Sequence, residues 1–260
     1  RNNAIRYRDV ISLDMQHRQH NKHNWPYFGP IVKTSDMSIG VICEAIVISE
    51  NIDSYAWVLK KMVEMEPRLQ LNNIKLIFGD QGVTQKLLEA LGIEGSCLLH
   101  GDYHHLTYEV WPQVESFGPL VWQDIGPCLR IMLLSRSKKD WDDSYENSAR
   151  LLQSNPLKLE KLDKIYGKPS YYAGYYLRGK VGNLNLNGST ASEQNHASTQ
   201  AHIGPGGSGY SIMDHVCALV KREAEKIKSL KKADDLLHCR VHNYQSAQEG
   251  QTALDDVIAK

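Results

Sequence analysis

The chain has 260 residues, enough for one large core or two smaller ones, and its 30 Lys and Arg balance 30 Asp and Glu at a pI near 7.3. That neutral balance excludes a uniformly basic nucleic-acid coat, while leaving room for Lys and Arg along one face. No apolar run approaches the roughly 18 residues that span a bilayer, Arg1-Asn2-Asn3 opens no signal-peptide core, and the scattered Cys43, Cys97, Cys128, Cys217 and Cys239 point to a reducing compartment.

The chain starts at Arg1 rather than Met, as expected of a piece of a longer protein. Val10-Ile11-Ser12-Leu13 reads as a short strand that stops at an acid, Asp14. His17, His20 and His23 follow three apart, but Trp25-Pro26 and Gly29-Pro30 argue against a helix holding them on one metal, so a solvated basic loop is expected. Residues 39–49 are nearly continuous β-branched and apolar, as in a strand covered on both faces, with Glu44 interrupting the run. From Asn51 to Glu66 the spacing of Tyr55, Val58, Leu59 and Met62 predicts a helix, capped by Asp53 or Ser54 and ended by Pro67.

The stretch 74–106 organises the rest. Ile74 to Phe78 predicts a strand that ends in Gly79-Asp80, and Val83, Leu87, Leu88 and Leu91 at helical spacing come next. Asp80 either caps that helix or carries chemistry. A second apolar run, Cys97-Leu98-Leu99, leads into His100, Asp102, His104 and His105, so adjacent strand ends are expected to present acids and imidazoles together.

Beyond Trp111-Pro112 the texture turns helical, with patterns over 121–135, 141–153 and 156–165. Its last part places Tyr171, Tyr172, Tyr175 and Tyr176 among Lys168, Arg178 and Lys180. Such interleaving suits base stacking and phosphate contact, or equally a tyrosine-rich packing surface. Ser192 is placed to cap a helix carrying Glu193 in its first turn, and Gly204 to Gly209 is the strongest turn signal. Residues 212–237 form one long helical pattern whose polar side, with Lys221, Arg222, Lys226, Lys228, Lys231 and Lys232, reads as a solvated face or a nucleic-acid contact. Cys239 and His242 make a C-x-x-H without a partner pair.

Three acids stand out: Asp14 and Asp80 at strand ends, and Glu193 at a helix start. Nucleases and polynucleotidyl transferases of the RNase H-like type use such a set to hold two divalent ions about 3.5–4 Å apart. Mg²⁺ takes oxygen ligands and keeps several waters, so a few carboxylates plus a substrate phosphate suffice.

Between Asp14 and His105 the chain resembles the DDE transposases of the Mutator-like group, and more weakly the wider superfamily that includes the hAT elements. The resemblance is carried by VISLD with Asp14, ENIDSYAWVLKKM with Trp57, LIFGD with Asp80, the C-x-x-H of Cys97 and His100, and ASEQNH with Glu193 and Asn195. The spans agree in kind, 66 residues from Asp14 to Asp80 and 113 from Asp80 to Glu193. The segment after Asp14, MQHRQHNKHNWPY, departs from the family's D-x-T-Y-x-x-N hairpin, which makes Asp36 a runner-up acid.

The resemblance implies an α/β protein with an RNase H-like mixed sheet flanked by helices and a largely helical insertion before the last catalytic helix. Residues 1–110 would form the first part of the catalytic core, 111–185 the insertion, and 186–260 the last core helices and a C-terminal extension. It implies a metal-dependent endonuclease and polynucleotidyl transferase of DNA recombination. The triad Asp14, Asp80 and Glu193 would bind Mg²⁺ or Mn²⁺, with Cys97, His100 and Asn195 lining the site. The substrates would be double-stranded transposon ends and target DNA, cut and then joined through the freed 3′-hydroxyl, in the nucleus, by a homodimer, with no membrane. Lys168, Tyr172, Tyr176, Arg178 and Lys180 are the nucleic-acid contacts expected from the tyrosine-rich segment. A domesticated DNA-binding regulator and an RNase H-like nuclease without strand transfer are the alternatives.

Overall fold

In the computed structural model the described residues are 8–16, 21–33, 39–80, 83, 85–178, 180, 181, 197, 201, 211–225, 228 and 229. Eight short strands form between residues 10 and 101: β1 (Val10–Leu13), β2 (Met15–Gln16), β3 (Tyr27–Phe28), β4 (Ile31–Lys33), β5 (Ile39–Val41), β6 (Ala45–Ile46), β7 (Leu76–Gly79) and β8 (Leu98–Gly101). Five make a mixed sheet in the order β5-β4-β1-β7-β8, in which β4 alone runs antiparallel to both its neighbours, β1 and β5, and the other strands share one direction. The other three, β2-β3-β6, prolong the antiparallel half.

The two antiparallel parts belong to the same chain paths. Ser12 pairs with Ile31 and Met15 with Phe28, three steps along each strand, so the register runs unbroken past Asp14 and sets it beside Gly29. On the next strand the count differs. Three steps from Phe28 to Ile31 face four from Ala45 to Val41, which makes Ile42-Cys43-Glu44 a β-bulge with one extra residue. The uninterrupted two-sided strand expected over 39–49 is therefore an edge path bent at Glu44, half-buried over 40–46, with Val47 buried and Ile48 exposed. Alternation alone does not reveal an extra residue in one strand.

One face of the sheet packs Ile11, Leu13 and Ile77 against Tyr55, Val58, Leu59 and Met62 of the helix Ile52–Met65 and against Leu87 and Leu88 of the helix Gln85–Leu91. Side chains of this size stabilise the fold by roughly 1.5–3 kcal/mol each when fully buried. Asn51, rather than Asp53 or Ser54, caps the first helix: its side chain accepts from the Ser54 N–H at 2.8 Å, and its own backbone stays extended. Trp57, one of the residues carrying the family resemblance, faces solvent at 55% exposure.

The opposite face carries Val10, Ile31, Leu76 and Phe78 under Leu177. After β8 the chain enters a π-helical turn, His105–Val110, and then helices Pro119–Leu133, Lys138–Leu151, Pro156–Tyr166, Pro169–Tyr172 and Gly174–Leu177. These match the expected helical segments to within a few residues. They share a second core of Trp111, Phe117, Ile125, Leu129, Trp141 and Leu162. Leu106 already belongs to that core, so the helical unit begins at the end of β8, a few residues before the expected boundary at 111.

Residues 212–225 form a further helix. Arg222 on it is 4% exposed and ion-paired with Glu44 at the bulge, whose carboxylate also accepts from the Tyr27 hydroxyl at 2.6 Å. Burial pushes the Glu44 carboxyl above its usual range, against the opposing pull of Tyr27 and Arg222. Arg222 thus does not belong to the solvated face expected for this helix. It lies three residues after buried Leu219 and reaches inward on the same side. Lys221 and Lys228 are exposed, as expected of that face, while Lys226, Lys231, Lys232, Asp36, Glu193, Asn195, Cys239 and His242 lie outside the described residues or their described side chains.

Candidate active site

Parallel pairing matches Leu13 with Gly79 and Gly79 with Gly101. The residues that follow are Asp14, Asp80 and Asp102, so three acids stand level at the carboxyl ends of three adjacent strands. This is the edge at which an open α/β sheet exposes the side chains that lie beyond its last ladder bonds. Neighbouring strands lie about 4.8 Å apart, which sets the scale of the carboxylate spacing.

Each acid is fixed differently. Asp14 lies between β1 and β2 and is 7% exposed. Burial, reinforced by the negative charges of Asp102 and Asp80, lifts its pKa from 3.8 to about 6, against the lowering effect of His105. Asp80 accepts from the Val83 N–H at 3.1 Å, so it caps the turn after β7, and its carbonyl accepts from the Tyr171 hydroxyl at 3.3 Å. Asp102 is 1% exposed. Its Oδ1 accepts from the N–H groups of His104, at 2.7 Å, and His105, at 3.4 Å, and its Oδ2 is buried without a hydrogen-bond partner.

His105 opens the π-helical turn among these charges. Its Nε2 is 3.6 Å from Asp14 Oδ1, a contact of opposite charges too long for a direct hydrogen bond, and its Nδ1 meets Glu109 Oε2 at 2.5 Å. The Asp14 carboxylate, with Asp102 and Glu109 behind it, raises the imidazole from 6.5 to about 10 despite the opposing effect of burial. His105 is therefore a cation at neutral pH.

Two glycines allow the close packing beside the acids. A Cβ on Gly79 would lie 2.5 Å from that of Val83, and one on Gly101 would lie 2.8 Å from the Tyr171 ring and 2.9 Å from Leu106. Tyr171 thus covers the end of β8 while its hydroxyl reaches the β7 end.

The structure brings Asp14 and Asp80 together, with Asp102 and His105 beside them. It places Cys97 just before β8, at the far end of that strand, in the apolar core, where burial pushes its thiol up to about 12. Cys97 does not reach the acids. His100 is buried under Phe78 at 5.5 Å, its Nδ1 is 3.0 Å from the Gly101 carbonyl, and burial lowers its pKa. A C-x-x-H that starts on a strand puts its two residues on opposite faces, because side chains alternate.

Tyr172 packs on Trp111 at 6.0 Å and on Tyr171 at 4.8 Å, and Tyr175 packs on Trp141 at 6.4 Å. Tyr176 lies against the same helical core with Lys180 over its ring at 3.2 Å. These half-buried rings pack on the helical unit. Lys168, with Tyr171 and Tyr172, lines a cavity of about 510 Å³ beside β8, and Arg178 is exposed.

Asp102 and His105 were visible in the sequence only as members of a polar cluster. A sharper signal is the repeat of LIFGD in LLHGD, 22 residues on, which puts a second strand–Gly–Asp unit in step with the first.

No protein-family model matches the chain, and no curated protein matches it.

Among the described residues, no three His, Cys, Asp or Glu side chains lie close enough to ligate one ion as they stand. Mg²⁺ keeps several waters and takes one or two carboxylates plus substrate phosphate, so the fit turns on paired acids, not on a closed cage. Asp14 and Asp80 fit. Both are hard oxygen donors at one sheet edge, and burial, with the smaller effect of the Asp102 and Asp80 charges added, raises the Asp14 pKa, a cost that a cation relieves.

Proposed function

We propose that this chain is the catalytic domain of a DDE transposase of the Mutator-like type, with an RNase H-like core. The observation that carries this reading is the level placement of Asp14 and Asp80 at the carboxyl ends of adjacent parallel strands. The sheet order supports it. Numbered along the chain, the strands run third, second, first, fourth, fifth, with only the second antiparallel to the rest, an order compatible with an RNase H-like sheet.

In this reading Asp14 and Asp80 hold Mg²⁺ or Mn²⁺ together with Glu193. When bound, the ions activate the attacking oxygen and stabilise the leaving oxygen of a phosphodiester. The chain's own part is to hold the acids level and to keep the β8 side covered by Tyr171. His105 keeps Asp14 neutralised until the ions arrive. The substrates are double-stranded transposon ends and target DNA, the site of action the nucleus, and the working form a homodimer. No helix among the described residues is long and apolar enough to cross a membrane.

The test is cleavage of labelled duplex DNA with Mn²⁺ by wild type and Asp80→Asn. Losing a ligand to the reacting centre costs several kcal/mol of transition-state stabilisation and much less ground-state binding. Asp80→Asn is expected to bind DNA nearly as wild type and to cut at least a thousand-fold more slowly, about 4 kcal/mol. Cleavage at the wild-type rate would remove Asp80 from the mechanism.

One observation favours a second reading, a transposase-derived DNA-bound regulator without catalysis. Asp14 already has a cation beside it in His105, so this acid has a counter-charge without metal. Wild-type protein that binds DNA but neither takes up Mn²⁺ nor cuts would bring that reading forward.

A further inference from the structure

We infer that Asp102 is a metal-ligating carboxylate of the same site, holding a second divalent cation between itself and Asp80. This rests on the two-metal reading above and adds to it an acid that stands outside the Asp14, Asp80 and Glu193 set.

The first ground is register. Gly79 pairs with Gly101, so Asp80 and Asp102 leave their strands side by side, as Asp14 and Asp80 do one strand over. Asp80 is the middle acid of three. With strands about 4.8 Å apart, ions in the two gaps beside it start about 4.8 Å from each other, and sharing the Asp80 carboxylate draws them toward the 3.5–4 Å found in two-metal sites.

The second ground is the state of the carboxylate. Oδ1 is committed to the N–H groups of His104 and His105, which fix its plane, while Oδ2 has no hydrogen-bond partner in a side chain 1% exposed. A buried carboxylate oxygen left dry is costly, and such groups in folded proteins are paired or coordinate metals. Capping uses one oxygen and leaves the other unexplained.

The third ground is direction. Residues in register on parallel strands put their side chains on one face, so Asp102 leaves the end of β8 on the same face as Asp80 after β7 and Asp14 after β1. Asp80 and Asp102 together offer the hard oxygen donors and the one or two carboxylates that Mg²⁺ or Mn²⁺ takes.

The experiment is calorimetric titration of the whole chain with Mn²⁺, together with low-temperature Mn²⁺ electron paramagnetic resonance. Wild type is set beside Asp102→Asn and the double variant Asp14→Asn/Asp80→Asn. Asn keeps Oδ1, and so the cap, and replaces Oδ2 by an amide that does not ligate. Asp102→Ser caps through its hydroxyl and gives a second variant should the first fail to fold.

Two ions are expected on wild type. In either Asp102 variant the second is expected to bind at least ten-fold more weakly, and the spectrum of a coupled pair to become that of an isolated ion. Two ions bound with unchanged affinity by a folded Asp102 variant would overturn the inference and leave Asp102 a capping residue. If that occurs while the Asp14→Asn/Asp80→Asn protein loses all binding, the two-metal reading survives and only the role of Asp102 falls. A wild type that takes up no Mn²⁺ would sink both.

Discussion

Replacing His105 by Gln tests whether the imidazolium is the counter-charge built into the acid cluster. His105 lies 3.6 Å from Asp14 and 2.5 Å from Glu109, and its pKa rises from 6.5 to about 10. The folded chain therefore holds this proton more tightly than the unfolded chain does. The stability it contributes is complete below pH 6.5 and is lost as pH climbs through about 10. Asp14 acts in an earlier window: its rise from 3.8 to about 6 gives stability that is lost as pH climbs through about 6.

The displacement of His105 caps its linkage at about 5 kcal/mol. The ring is partly exposed and shares its titration with Asp14, which brings the expected contribution to roughly 2 kcal/mol. Urea unfolding of metal-free wild type and His105→Gln between pH 6.5 and 10 measures it. Buried thiols and phenols also respond to alkali, so the quantity to read is the difference between the two proteins. Wild type is expected to lead at the acid end and to lose that lead toward the alkaline end. Parallel stability curves would refute the reasoning, since they would mean that His105 holds its proton no more tightly in the fold than outside it.

Two further outcomes follow from packing. Arg222→Met leaves Glu44 in a buried place without its cation and is expected to cost about 3–5 kcal/mol, with faster amide exchange over 212–225; Glu44→Met/Arg222→Met should regain most of it. A single variant as stable as wild type would show that the ion pair holds nothing together. Gly101→Ala puts a methyl 2.8 Å from the Tyr171 ring and should cost roughly 1–3 kcal/mol by urea unfolding, relieved by Tyr171→Leu in the same chain. Unchanged stability of Gly101→Ala would mean the ring yields freely.

The parts of the fold legible in the sequence are those governed by local pattern. Val10–Leu13, the strand ending at Gly79 and the helix opening at Ile52 follow from apolar periodicity and a nearby stop. Asp14 and Asp80 were visible because each closes such a strand. What stayed hidden depends on partners distant in the chain. The bulge at 42–44 exists only relative to β3 and β4, and Arg222 looked like one more solvated cation because its carboxylate is 178 residues away. The level of Asp102 is set by β7–β8 pairing, which periodicity does not encode. Cys97 and His100 drew attention as a spaced pair, yet alternation puts Cys97 on the opposite face, and His100, on the face of the acids, is buried against Phe78 one pleat back from Asp102.

The Arg222–Glu44 pair also bears on the order in which the molecule is made. At about 5–20 residues per second, the ribosome delivers Arg222 roughly 10–35 s after Glu44, a gap of 178 residues. Through that interval the outer strand path has its acid without a cation and Ile46 without the Ile212, Val216 and Leu219 surface that later borders it. A nascent chain halted anywhere in the helical unit therefore has this outer strand path without the helix that borders it in the finished fold.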